Sequence, residues 1–103
     1  MEKLINGKPI LVTEEGYLTN FTQWDKDVAQ VIAEEEGVGD LSPKHWDVIN
    51  YLQYQFTHNV PLTIRKVGNS GVTDIKEFYS LFPGGPLKKA SKIAGIPKPV
   101  SCI

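Results

Sequence analysis

Proline and glycine cut this 103-residue chain into short pieces. Proline fixes φ and removes a donor, and glycine opens backbone conformations that other residues avoid. The breaks fall at Asn6-Gly7, at Pro43, at Pro61, at "GNSG" (68–71), at "FPGGP" (82–86) and at "IPKP" (96–99). What lies between them is long enough only for a small hairpin and a series of short helices. A chain of this length fits one domain with one core.

The first stretch reads as β. In "KLINGKPIL" the Asn6-Gly7 pair sits between two apolar pairs, and Asn-Gly tolerates the positive φ angles of a type I′ turn. Pro9 cannot donate to a ladder, so its strand is expected at an edge. "TEEGYL" predicts a second turn, with Tyr17 and Leu18 opening a third short strand.

The middle reads as helix. Trp24, Val28, Val31 and Ile32 recur at helical spacing and form one apolar stripe, with Thr22 as N-cap and Gly37 at the end. The next helix starts at "LSPKHW": Ser42 can cap, and Pro43 at the first helical position loses no needed N–H. Trp46, Ile49, Leu52 and Phe56 are its expected apolar face. The helix should stop near His58, because Pro61 restricts Val60. Two shorter helices are expected over 62–67 and 73–81, the second making contact through Ile75, Phe78 and Tyr79. Pro86 opens a last helix, with Leu87, Ala90 and Ile93 or Ala94 inward and Gly95 at its end. The tail "IPKPVSCI" cannot continue it, since Pro97 and Pro99 break helix geometry. The expected fold is therefore α+β. A hairpin or meander (1–19) precedes a body of about five helices (20–94), and a non-helical, proline-containing C-terminal arm (95–103) follows.

Composition narrows the function classes. At 41% hydrophobic and 22% charged residues, with a net charge of −1, the chain has the balance of a soluble globular protein and no global field toward nucleic acid or anionic membrane. No secretory signal and no apolar run of membrane-spanning length is visible, and a reducing, cytoplasmic setting is the expectation. The charge is nevertheless divided. Residues 83–103 carry Lys88, Lys89, Lys92 and Lys98 and no acid, a charge of +4, and residues 1–82 carry −5. Chance produces short basic helices too, so the division alone assigns nothing.

Cys102 is the only cysteine and the penultimate residue. It cannot form an intramolecular disulfide, and metal sites need several ligands. Structural cysteines are usually buried in cores, whereas termini are usually loose. A thiol on a proline-stiffened arm suits delivery into another protein's site. An incidental terminal cysteine is the competing reading. A free thiol has a pKa of about 8.5; Lys98 lowers that and the terminal carboxylate raises it, which suggests a carrier more than a self-activated catalyst.

Other residues are weaker candidates. Ser91 reads as a small solvated residue. His45, beside a tryptophan at a helix start, reads as packing more than chemistry, and His58 suits a helix C-terminus as a cation. The two histidines and one cysteine match no zinc spacing. Neither glycine-rich stretch is a P-loop, and there is no nucleophile elbow. The helix pair over 62–81 resembles a helix-turn-helix. Its second helix sets Asp74 and Glu77 against Lys76, which is poor chemistry for reading DNA.

With these residues in view, the chain resembles the DsrC/TusE family of sulfur-relay proteins. The marks are "GYL" (16–18), "LSPKHWDVI" (41–49), "LFPGGP" (81–86) and, most specific, "KIAGIPKPVSCI" (92–103). The resemblance implies a β-meander on an array of helices with a flexible C-terminal arm. It also implies two branches of function. DsrC proper works with dissimilatory sulfite reductase through two arm cysteines. TusE-like members use the penultimate cysteine alone, accepting persulfide sulfur from a relay complex and passing it to a thiouridylase that modifies tRNA. Ser91 occupies the position of the second cysteine, and a serine oxygen cannot form a disulfide or trisulfide. The resemblance therefore implies a sulfurtransferase-type carrier with Cys102 as the persulfide site and no other cofactor. Lys98, Lys92 and Arg65 are expected to support or dock the arm. The expected partners are a persulfide donor and an acceptor such as a tRNA thiouridylase or sulfite reductase. Contact with nucleic acid is expected to be only indirect or weak, and none with membrane. The alternatives are a DsrC-like gamma subunit of sulfite reductase, or a non-catalytic DNA-associated regulator using residues 62–81.

Overall fold

The computed structural model describes residues 1–98. Cys102 and the rest of 99–103 lie outside the described residues. Two strands, β1 (Glu2–Ile5) and β2 (Lys8–Leu11), form an antiparallel hairpin. Its turn is the expected one, with Asn6 at φ 54° and Gly7 at φ 78°. Leu4 faces Pro9 across the ladder, and Pro9 is exposed on a sheet that has only edge strands. The hairpin turns Ile5 and Ile10 into the core. The expected third strand is reduced to one bridge, Val12 to Leu18, which nonetheless buries Tyr17 and Leu18.

Five helices follow: α1 (Lys26–Glu35), α2 (Pro43–Thr57), α3 (Ile64–Gly68), α4 (Ile75–Leu81) and α5 (Pro86–Ile93). Each of the first four is started by a side chain that accepts a backbone N–H: Asp25, Ser42, Thr63 and Asp74. The α5 start has no such cap and uses Pro86 at its first turn. A single 3-10 turn at Phe21–Gln23, capped by Asn20, precedes α1. The expected cap at Thr22 is therefore corrected to Asp25. Trp24 stands before the helix instead of on its stripe, and the buried stripe of α1 is Val28, Ala29, Ile32 and Ala33.

On α2 the inward face is His45, Val48, Ile49 and Leu52. Trp46 is half-buried, and Phe56 is 37% exposed, so the apolar face is rotated from the one expected. His45 explains the rotation. Its Nδ1 accepts the Ser42 N–H at 3.0 Å, which leaves the ring proton on Nε2, facing the Leu81 carbonyl at 2.9 Å. The ring edge also meets Phe82, with centroids 5.1 Å apart. This histidine packs and ties α2 to the end of α4, as its setting beside a tryptophan suggests.

On α4 only Phe78 is buried, and Ile75 and Tyr79 are 42% and 49% exposed. Glu77 hydrogen-bonds Thr73 and pairs with Lys44. The exposed surface of this helix is apolar and mixed in charge, which does not suit reading DNA. The most connected element is α5, which packs on α1, α2 and α4. Pro86, Leu87, Ala90, Ser91 and Ile93 fill its inner face. No helix among the described residues is long and apolar enough to cross a membrane.

Candidate functional site

The described chain ends where the arm leaves α5, and the local chemistry of that junction follows from Gly95. At φ 76° this glycine takes the left-handed conformation that ends a helix. The Gly95 N–H then reaches the Lys92 carbonyl at 3.2 Å, and the Ile96 N–H reaches the Ser91 carbonyl at 3.2 Å. This pair of bonds is the Schellman arrangement. Two carbonyls remain beyond it, and both receive side-chain donors from distant elements. The Trp24 indole Nε1–H donates to the Ile93 carbonyl at 2.8 Å. The Gln53 amide donates to the Ala94 carbonyl at 2.8 Å. The Ala94 N–H takes the Ala90 carbonyl at 2.8 Å. Five consecutive carbonyls, from Ala90 to Ala94, are thus satisfied. Gly95 is buried and Ile96 is 1% exposed, so these two residues belong to the packed body, and solvent exposure begins at Pro97.

The lysines gather on one side of this root. Lys92 Nζ lies 3.2 Å from Glu36 and 5.3 Å from the centre of the Tyr17 ring. Lys89 Nζ donates to the Glu36 carbonyl at 2.7 Å and so serves the end of α1. Lys98 pairs with Glu15 at 2.9 Å, which ties the start of the arm to the 13–17 turn. Lys88 is exposed, and its carbonyl accepts from the Tyr17 hydroxyl at 3.4 Å. Lys88, Lys89 and Lys92 line a cleft of about 210 Å³ with Gly84, Gly85, Glu15, Tyr17 and Glu36. A neighbouring cleft of about 330 Å³ shares Glu15 and Tyr17 and contains Lys98.

The expected site residues therefore divide. Lys92 and Lys98 come together through the walls of adjoining clefts. Arg65 is exposed on α3 and lines neither cleft. Ser91, expected to be solvated, is fully buried, and its Oγ has no hydrogen-bond partner among the described residues. Its place on the Leu87–Ala90–Ile93 face of α5 explains the difference. Cys102 itself lies outside the described residues. Trp24 and Gln53 were not expected here. Trp24 fits a helical stripe by spacing, and a glutamine on a helix reads as solvated, so no local signal marks either one. Among the described residues no group of three or more His, Cys, Asp or Glu side chains could hold a metal ion.

The sequence profile described as "DsrC like protein" matches residues 4–103. The chain belongs to the DsrC family. Similar proteins include the sulfurtransferase TusE of Escherichia coli (strain K12). It is 40% identical over 108 residues, covering 97% of this chain and 98% of that protein. The gamma subunit of the dissimilatory-type sulfite reductase of Nitratidesulfovibrio vulgaris (strain Hildenborough) is 37% identical over 103 residues, covering 99% and 98%. The solution NMR structure of Allochromatium vinosum DsrC superposes with a TM-score of 0.78 at 38% identity, covering all of both chains. The expected α+β fold and the family resemblance both hold. This DsrC-family chain carries a serine, buried in α5, at the position where the resemblance set a second cysteine.

Proposed function

We propose that the chain is a sulfur carrier that accepts a sulfane sulfur on Cys102 and passes it to a thiol of an acceptor protein. The observation that carries this reading is the full-length similarity to a protein named sulfurtransferase TusE, in a chain whose only thiol is Cys102. The supporting feature is the arm root, where a fixed point of departure precedes Pro97 and Pro99.

The transfer is redox-neutral. The Cys102 thiolate attacks the outer sulfur of a donor persulfide, R–S–SH. The donor S–S bond breaks, R–S⁻ leaves, and Cys102–S–SH forms. In the second half an acceptor thiolate attacks the new outer sulfur and releases Cys102 as the thiolate. No external oxidant or reductant enters. Lys98, four residues before Cys102, favours the anion, and the exposed Lys88 offers charge to the partner's surface, while Lys92 braces the root through its pair with Glu36. Arg65, exposed on α3 and away from both clefts, is kept as a residue that docks the far end of the arm. The reaction belongs to a reducing compartment, and on this reading that is the cytoplasm.

A second reading, partnership with a dissimilatory sulfite reductase, is favoured by the gamma-subunit relative. Ser91 argues against the two-thiol form of that role, because it supplies no sulfur to bridge. The test is intact-protein mass spectrometry after incubation with a cysteine desulfurase and cysteine. The expected result is a reductant-sensitive gain of one sulfur atom, absent in Cys102→Ser. A Cys102→Ser protein that still accepts sulfur would sink the proposal. Offering the loaded protein to a tRNA thiouridylase and to a sulfite reductase separates the two acceptors.

A further inference from the structure

We infer that Trp24 and Gln53 are positioning residues that hold the root from which the arm bearing Cys102 departs; this rests on the sulfur-carrier reading. A helix end leaves several carbonyls without intrahelical partners, and at an ordinary surface end water satisfies them. At the end of α5 the last two are taken by side chains from separate parts of the fold. Trp24 comes from the segment before α1, and Gln53 comes from the middle of α2. Each holds a carbonyl of a fully buried residue, Ile93 or Ala94. The indole ring also closes over Gly95, where a β-carbon would lie 2.5 Å from Cδ1. Three neighbouring residues are thus held from two sides, and the chain leaves the body at Ile96 from a fixed root. The Lys98–Glu15 pair ties the start of the arm to the 13–17 turn.

The alternative is that these donors merely satisfy buried carbonyls. The two roles differ in what they alter. A structural role governs stability alone. A positioning role governs how often the thiol meets a site on another protein, but not how the thiol reacts with a small molecule. If the root frays, residues 94–96 must be ordered again each time the arm docks, and that entropy is charged to the encounter.

The experiment compares Trp24→Phe, which keeps an aromatic ring and removes the N–H, with Gln53→Met, which keeps length and removes the donor. Gln53→Lys is the rescue, because it restores a donor. For each protein two second-order rate constants are measured. One is sulfur transfer from a persulfide-charged cysteine desulfurase to Cys102, and the other is alkylation of Cys102 by iodoacetamide. Folding is checked by a thermal melt. The expected result is a loss of about tenfold in protein-to-protein transfer for Trp24→Phe and Gln53→Met. Alkylation stays within about twofold, and Gln53→Lys recovers most of the transfer. Unchanged transfer in both variants overturns the inference, as does a parallel fall in both rate constants. A native protein that alkylates at Cys102 but never takes up sulfur overturns the carrier reading and this inference with it.

Discussion

Gly95 and Trp24 leave no space between them: a β-carbon on Gly95 would sit 2.5 Å from the indole Cδ1 and 2.7 Å from Cγ. Gly37, at the same position after α1, has a similar φ of 79°, yet a β-carbon there meets nothing within 4 Å. The pair makes an internal comparison. Gly37→Ala costs about 1–2 kcal/mol, for the left-handed backbone alone. Gly95→Ala costs that plus about 1–3 kcal/mol for overpacking against the indole. Urea melts of the two variants check the difference. Equal losses would mean that the indole moves aside without penalty.

Ser91 is the one described residue whose buried side-chain oxygen lacks a partner. An unpaired buried hydroxyl costs about 1–3 kcal/mol. Ser91→Ala is therefore expected to raise stability by about 1 kcal/mol, read as a higher urea midpoint at unchanged m. A lower midpoint would mean that Oγ has a partner in the folded protein, and the burial argument would fail.

His45 spans from the start of α2 to the last carbonyl of α4 through its two ring nitrogens. His45→Leu keeps bulk but strands the Ser42 N–H and the Leu81 carbonyl. The expected loss is about 2–4 kcal/mol of stability, with the loading of Cys102 by a persulfide donor unchanged where the variant is folded. A variant that stays stable but no longer loads would move His45 from packing to chemistry.

The residues that were legible in the sequence share a property: their signal is local. Asn6-Gly7 sets its own turn, Ser42-Pro43 sets its own helix start, and Gly95 sets its own helix end, because each needs only its neighbours. Trp24 was misplaced because spacing from Val28 is equally compatible with a helix. The decision is made by Asp25, whose side chain takes the Val28 N–H, and by a carbonyl 69 residues away. Ile75 and Tyr79 were expected inside. A seven-residue helix has room for one deep anchor, and Phe78 takes it. Ser91 was read by residue type when its position on the Leu87–Ala90 face was the better guide. At the site, the lysines were visible as composition. Their partners Glu15 and Glu36 were not, because they come from the 13–17 turn and the end of α1.

The buried stop at Ile96 has a consequence for encounter. Five residues, 97–101, separate it from Cys102, and the six Cα–Cα steps between the two allow a reach of at most about 20 Å. A sulfur confined to a sphere of that radius has an effective concentration on the order of tens of millimolar for any protein already seated on the body. A partner binding only weakly to the surface around α5 would still find the thiol at saturating concentration. Exchange of donor for acceptor could then be fast, because neither needs to hold on tightly.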